Sequence, residues 1–335
     1  MKRRDVIAGL CSTLVLLPSL ALLSSPAMAE TPGRVRRLGM LLHLPERSMF
    51  GQLRLVAFRL ALTMAGWNEG DNLLIDTRWS GGDRKLADRH AADLVAANPD
   101  VIVASDSDMA LALQRATKTI PIVFAEAIDP VGYGLVADLY QPGGNTTGVM
   151  MFDPSMAAKW LDLLKQIKPG ITRVAVLHDP AVPVSQRFIA AIEKAASSSG
   201  VQVVATAMRN EADIKQFFDN VGRPASLGAI ALPAAIMAQH RGLIVEAAVA
   251  HRLPVVSAFR DDPERGGLAS YGADGLDQYR PAAFCVDRIL KGETPAELPV
   301  QTAWRYLLVI NSQTARAIGL DLSPSLLASA DEIIK

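Results

Sequence analysis

Residues 98–134 read NPDVIVASDSDMALALQRATKTIPIVFAEAIDPVGYG, and this stretch decides the fold class. Val101, Ile102 and Val103 form a short β-branched run that ends at Ser105. Met109, Leu111, Leu113 and Ala116 follow at a helical period. Pro121, Ile122, Val123 and Phe124 make a second apolar run, closed by Asp129 and Pro130. Strand, helix and strand in this order form a crossover unit, which packs right-handed in a parallel sheet. In open sheets of that kind, ligands bind beyond the carboxyl ends of the strands. Two such ends are Ser105-Asp106-Ser107 and the segment from Glu126 to Asp129, so one wall of a binding site is expected here.

Working outward, the alternation recurs on both sides. Upstream, strands are expected at 37–42 and 73–79 and helices at 52–65 and 83–97, with Asp83 as an N-cap. Downstream, residues 141–145 form a turn and 146–151 are extended. Asp153-Pro154 is expected to open a helix to Lys168, with Asp as N-cap and Pro at the first helical position. Strands then follow at 173–177, 201–207, 228–232 and 254–258, separated by helices at 184–198, 211–221 and 237–251. After a short strand at 268–271 comes a helix at 276–291, a Pro-bounded link at 294–299, a strand at 306–310, a short helix and a polar tail. These make two successive β/α series, each the size of one small doubly wound domain.

The termini and composition limit the functions available. Lys2, Arg3 and Arg4 precede an apolar run at 14–23, and Ala27-Met28-Ala29 is a cleavage signal, so residues 1–29 are expected to be a signal peptide. Arg3-Arg4 also resembles a twin-arginine export signal, and Sec export is the alternative. Cys11 lies too early for a lipoprotein anchor. Cleavage would leave 31 Lys and Arg against 33 Asp and Glu, a balance that excludes a nucleic-acid surface. It would also leave Cys285 alone inside an apolar helix pattern, a core residue rather than half of a disulfide. The expected product is a periplasmic, disulfide-free protein.

No nucleophile elbow, phosphate loop, paired-cysteine or zinc-helix motif occurs, so neither catalysis nor a cofactor nor a metal is expected. The five histidines His43, His90, His178, His240 and His251 are scattered singly. Residues 132–137 fit a G-x-G-x-x-A fingerprint, but a dinucleotide site joins the first strand directly to its helix, and Asp129-Pro130 intervenes here. Asp106 and Asp108 flank a helix start, where the plain reading is capping and the functional one a carboxylate facing a ligand. Asp129 and Asn145 are turn residues by type.

The chain resembles the ABC-transporter substrate-binding protein family of the tryptophan/tyrosine type, on the type I periplasmic-binding-protein fold. The segments that carry the resemblance are RRLGMLLHLPE (36–46), FRLALTMAGWNEGDNLLIDTRWSGGD (58–83), DLVAANPDVIVAS (93–105), TIPIVFAEAIDPVGYGLV (119–136), PGGNTTGV (142–149), KWLDLLKQIKPGITRVAVLHDP (159–180), GGLASYGAD (266–274), RILKGETPAELPVQ (288–301) and LLVINSQTARAIGL (307–320). It implies two doubly wound parallel-sheet lobes with a ligand cleft between them. Residues 36–148 with about 271–293 would form lobe I, and 149–270 with about 294–335 lobe II. The chain would cross near 148–153, near 270–274 and after Lys291.

The resemblance also implies a ligand site at Ser105, Asp106, Ser107, Asp129, Asn145, Asp179, Pro233, Ala234, Phe259, Tyr271 and Asp274. Phe259 and Tyr271 are the candidates for stacking contacts, with core packing as the alternative. Family members commonly carry a neutral loop where this chain has Ser105-Asp106-Ser107-Asp108. Acids there would oppose a ligand carboxylate at a helix N-terminus, so the ligand is expected to be neutral or to turn an amine toward Asp106. The implied function is capture of a small organic ligand, an amino acid or aromatic compound, by hinge closure, and its delivery to an inner-membrane ABC permease. A periplasmic sensing module signalling through a membrane receptor is the alternative reading, and an exported enzyme a third. A monomer is expected.

Overall fold

The computed structural model describes residues 34–221 and 226–335; the signal-peptide reading therefore lies outside the described residues. The first series runs β1 (Arg36–Leu42), α1 (Met49–Met64), β2 (Leu73–Trp79), α2 (Arg84–Ala96), β3 (Val101–Asp106), α3 (Ser107–Ala116), β4 (Ile122–Ile128) and β5 (Thr146–Phe152). The second runs α4 (Met156–Ile167), β6 (Arg173–His178), α5 (Ser185–Ser197), β7 (Gln202–Ala207), α6 (Glu211–Val221), β8 (Leu227–Ala231), α7 (Ala235–Gln239), α8 (Arg241–Ala250), β9 (Val255–Ser257), α9 (Asp261–Glu264) and β10 (Ala269–Gly272). Then come α10 (Gly275–Leu290), β11 (Gln301–Thr302), β12 (Leu307–Asn311), α11 (Ser312–Ala317), α12 (Pro324–Ser329) and β13 (Glu332–Ile334). No helix of the described residues is long and apolar enough to cross a membrane.

Two sheets result, ordered β11-β5-β4-β3-β1-β2 and β13-β12-β10-β9-β8-β6-β7. Apart from the antiparallel β10–β12 pair, their pairings are parallel. In each, the order reverses beside the first strand of the series, the topology of a doubly wound sheet. Strands covered on both faces must be apolar throughout, and β3 and β5 are buried almost end to end. β1 shows how the period of two divides the core: Leu38, Met40 and Leu42 join Phe58, Leu62, Tyr279 and Val286 under α1 and α10, while Leu41 turns to the opposite face. Phe58 meets Tyr279 edge-on, centroids 6.3 Å apart. Cys285 is buried in that layer, and burial pushes its thiol up to about 12.

Several expectations need correction. β5 stays wholly in the first sheet, so residues 149–152, expected in lobe II, belong to lobe I, and the chain leaves it after Phe152, at the end of the expected 148–153 crossing. The segment after Thr294 also stays there: Gln301 and Thr302 pair with Val149 and Met150, and the chain reaches the second sheet only at Leu307. Thr147 helps hold it, its hydroxyl donating to Leu298 O. Asp153 does not cap α4; its carboxylate accepts from Ser155 N one turn early, and the helix starts at Met156. The single helix expected at 237–251 is two helices that break at His240.

Candidate functional site

The carboxyl ends of the two sheets face one another. Asp129 follows β4 in the first lobe, and Arg187 lies in the first turn of α5 in the second; their side chains approach to 2.6 Å. Arg265 of the second lobe lies over the Phe50 ring at the start of α1. Phe152, at the end of β5, packs edge-on against Phe259, centroids 5.7 Å apart. The junction between lobes is therefore lined by the loops that follow the strands, as the parallel topology requires.

Asp129 shows why local sequence yields this geometry. It sits at φ +41°, a conformation tolerated by Asp through local hydrogen bonding, and its carboxylate accepts from Gly132 N. A Cβ on Gly132 would lie 2.2 Å from that carboxylate and 2.8 Å from the Arg187 guanidinium. Gly132 is thus required by the close approach of the two lobes, which accounts for half of the apparent dinucleotide fingerprint. Gly134, at φ +78°, closes the turn.

The β3 end carries a second cluster. One Asp106 oxygen accepts from Met109 N and caps α3; the other lies 2.9 Å from His43 Nδ1. Ser105 Oγ accepts from His43 N and lies 3.0 Å from His43 Nδ1. Ser107 Oγ accepts from Ile128 N, tying the start of α3 to β4. Of the two readings of Asp106, the capping one is seen, at the carboxyl end of β3. Its charge is met by His43 within the wall itself. Asp108 is likewise engaged: the Tyr133 hydroxyl donates to it at 2.5 Å.

Behind this wall, Glu126 accepts from Arg54 Nε at 2.8 Å, with side chains only 7% and 16% exposed. The pair sits where α1, β4 and the start of α10 converge; a Cβ on Gly275 would fall 2.3 Å from both of its partners. Burial alone would lower the Arg54 pKa, but Glu126 first, then Tyr279 and Asp261, together more than reverse it. Burial pushes Glu126 up, against the pull of Arg54 and His43.

On the second lobe, Asp179 follows β6 and accepts from Ala181 N, while Pro233 and Ala234 lead from β8 into α7. Tyr271 lies in β10, its ring 6.0 Å from Tyr306 in the last crossing and its carbonyl accepting from Trp160 Nε1. Asp274 is committed to structure: it caps α10 through Leu276 N and pairs with Arg260. Asn145 is the clear misplacement. It precedes β5, beside Ile122, and donates to Ile120 O, so it stands at the amino ends of the strands, away from the junction.

Sequence reading passed over His43, Arg54, Glu126 as a partner, and Arg187. Arg54 alone left a usable trace, because a charge among Leu53, Leu55 and Phe58 in an apolar helix demands a buried partner.

The His43–Asp106 pair makes stability depend on pH. Burial opposes the charge on His43, but Asp106, helped by Glu126, raises the pKa above 6.5; Asp106, despite its own burial, is lowered below 3.8 by His43 and backbone donors. The Asp106 contribution is present above 3.8 and lost as pH falls through its depressed value. The His43 contribution is full below 6.5 and lost as pH rises through its raised value. Wild type should therefore exceed His43→Gln in melting temperature most clearly between those limits, and the gap should narrow by pH 9. A gap independent of pH would mean that the pair carries no charge interaction.

A family model described as ABC transporter substrate binding protein matches residues 55–334. The chain belongs to that family. A tyrosine-binding protein from Clostridioides difficile (strain R20291) is 25% identical over 265 residues, covering 78% of this chain and 75% of the relative. A Streptococcus pneumonia ABC domain solved in complex with L-Trp superposes with a TM-score of 0.80 at 25% identity, covering 90% of this chain and all of the other. The ligand-free, open structure of a substrate-binding protein with adhesive properties from Clostridium difficile gives a TM-score of 0.70 at 25% identity, covering 90% and 99%. The fold is that of the type I periplasmic binding proteins, as expected from the sequence.

Proposed function

We propose that this family member is the exported solute-binding component of an ABC importer, that it captures an aromatic amino acid between its lobes by hinge closure, and that it hands the ligand to an inner-membrane permease. The observation that carries the reading is the Asp129–Arg187 contact, which joins opposite walls of the junction. A ligand held there touches both lobes, and such two-sided contact is what gives the closed form its differential affinity. The chain passes between sheets at 153–155, 273–274 and 303–306, and these are the proposed hinge segments.

Ser105, Ser107, Asp129, Asp179, Pro233 and Ala234 are the proposed polar and backbone wall, and Phe259 and Tyr271 the aromatic one. Asp106 and Asp274 act from behind as helix caps. With Asp106 paired to His43 within the wall, the proposed ligand is a zwitterion, net neutral, in line with the tyrosine and L-Trp named for the two relatives. The role is capture without turnover.

Thermal denaturation tests this. L-Tyr or L-Trp should raise the melting temperature, with about 2.7 kcal/mol of stabilisation at a hundredfold excess over the dissociation constant. Tyramine and tryptamine, which lack the carboxylate, should shift it far less. No shift with any aromatic amino acid would remove that ligand class, and consumption of the bound ligand would replace capture with catalysis.

A further inference from the structure

We infer that the outer face of α1 is the contact surface of a two-fold dimer of this chain. A surface helix ordinarily turns a polar face to water, whereas a helix apolar all round is covered on all sides. α1 buries Leu55, Phe58 and Leu62 against the first sheet and exposes Met49, Leu53, Val56, Leu60 and Met64, each between 48% and 77% open. These five are spaced 4, 3, 4 and 4 residues apart, one continuous seam along about 22 Å of helix. Both charged residues of the helix are engaged elsewhere: Arg54 turns inward to Glu126, and Arg59 pairs with Glu69.

The order of the seam favours a second copy over any other occupant. Read from either end it is Met, Leu, Val, Leu, Met. An antiparallel pairing about a two-fold axis near Val56 therefore sets Met against Met at the ends and Leu against Leu within. Self-complementarity of this kind is the requirement of an isologous interface. The seam presents on the order of 500 Å² of apolar surface, as large as the greatest patch on an ordinary monomer. Two copies would bury about 1,000 Å², the lower limit of a specific interface. The two arginines of α1 are both paired with carboxylates, so the helix itself carries no run of free Lys or Arg of the kind an interfacial membrane helix uses. The whole seam belongs to one lobe, so pairing leaves the second lobe free to move. This departs from the monomer expected of the sequence.

Sedimentation velocity on the purified protein, up to about 0.1 mM, should give twice the single-chain mass, with a concentration-dependent fall on dilution. The Leu53→Glu/Leu60→Glu variant should sediment as a single chain with its melting temperature little changed, since both sites are exposed. Val56→Cys should form a disulfide-linked dimer on mild oxidation, because the axis brings the two copies of that position together and Cys285 is buried. A single-chain mass at every concentration overturns the inference and leaves the seam to a permease or another protein. A dimer that persists in the double variant, or fails to cross-link through position 56, overturns it in favour of a different face.

Discussion

Trp160→Ala should be among the most damaging single substitutions in this protein. Trp160 is fully buried on α4, stacked on Phe188 with ring centroids 5.8 Å apart and edge-on to Phe152 at 6.1 Å. Its indole N–H donates to the Tyr271 carbonyl at 2.7 Å. Truncation opens a cavity, at a cost of about 3–5 kcal/mol. It also leaves that carbonyl without its donor, which adds about 1–3 kcal/mol where water does not enter. Trp160→Phe separates the two effects, because it keeps most of the packing and loses the donor. Urea denaturation of both variants measures the difference. A Trp160→Ala cost below about 1 kcal/mol would show that the aromatic cluster at the lobe junction is not what holds it. The cluster reaches Phe259 through Phe152, so the same substitution should also weaken ligand binding.

Glu126→Ala should be comparably severe, for an electrostatic reason. It strands the Arg54 guanidinium, 16% exposed, without its carboxylate, and breaking one partner of a buried pair costs about 3–5 kcal/mol. Replacing both partners with apolar residues of similar volume, Arg54→Met with Glu126→Leu, should recover most of the loss. The direction of the Glu126 shift agrees: burial outweighs what Arg54 and His43 return, so this carboxylate is held against its own solvation preference. Denaturant midpoints for the single and double variants decide the matter. A double variant as unstable as Glu126→Ala alone would mean that the site needs the charges themselves.

Particular elements show how far the sequence could be read. The β3–α3–β4 unit was visible in its composition, because a strand covered on both faces must be apolar throughout and a covered helix must repeat at 3.6 residues. The expected return of α10 to the first lobe came from family resemblance alone, because an amphipathic helix does not record which sheet it packs on. The late crossing at 303–306 was hidden, because Gln301 and Thr302 form a strand of two residues whose only signature is its pairing with β5. Asn145 was misplaced because a turn motif reads alike at either end of a parallel strand.

The site divides along the same line. Loops at the carboxyl ends of β3, β4, β6, β8 and β9 follow from strand order, and the sequence determined them by itself, since alternation of strand and helix dictates a parallel sheet. The apolar residues of the α1 seam stand in the sequence, but packing decided which of them are covered and which stay open. Only the tertiary structure decided that His43 answers Asp106, that Arg54 answers Glu126, and that Arg187 reaches Asp129 across the lobes. These partners lie tens of residues apart in the chain. The free energy that joins them comes from desolvation and charge, which act through space and leave no period in the sequence.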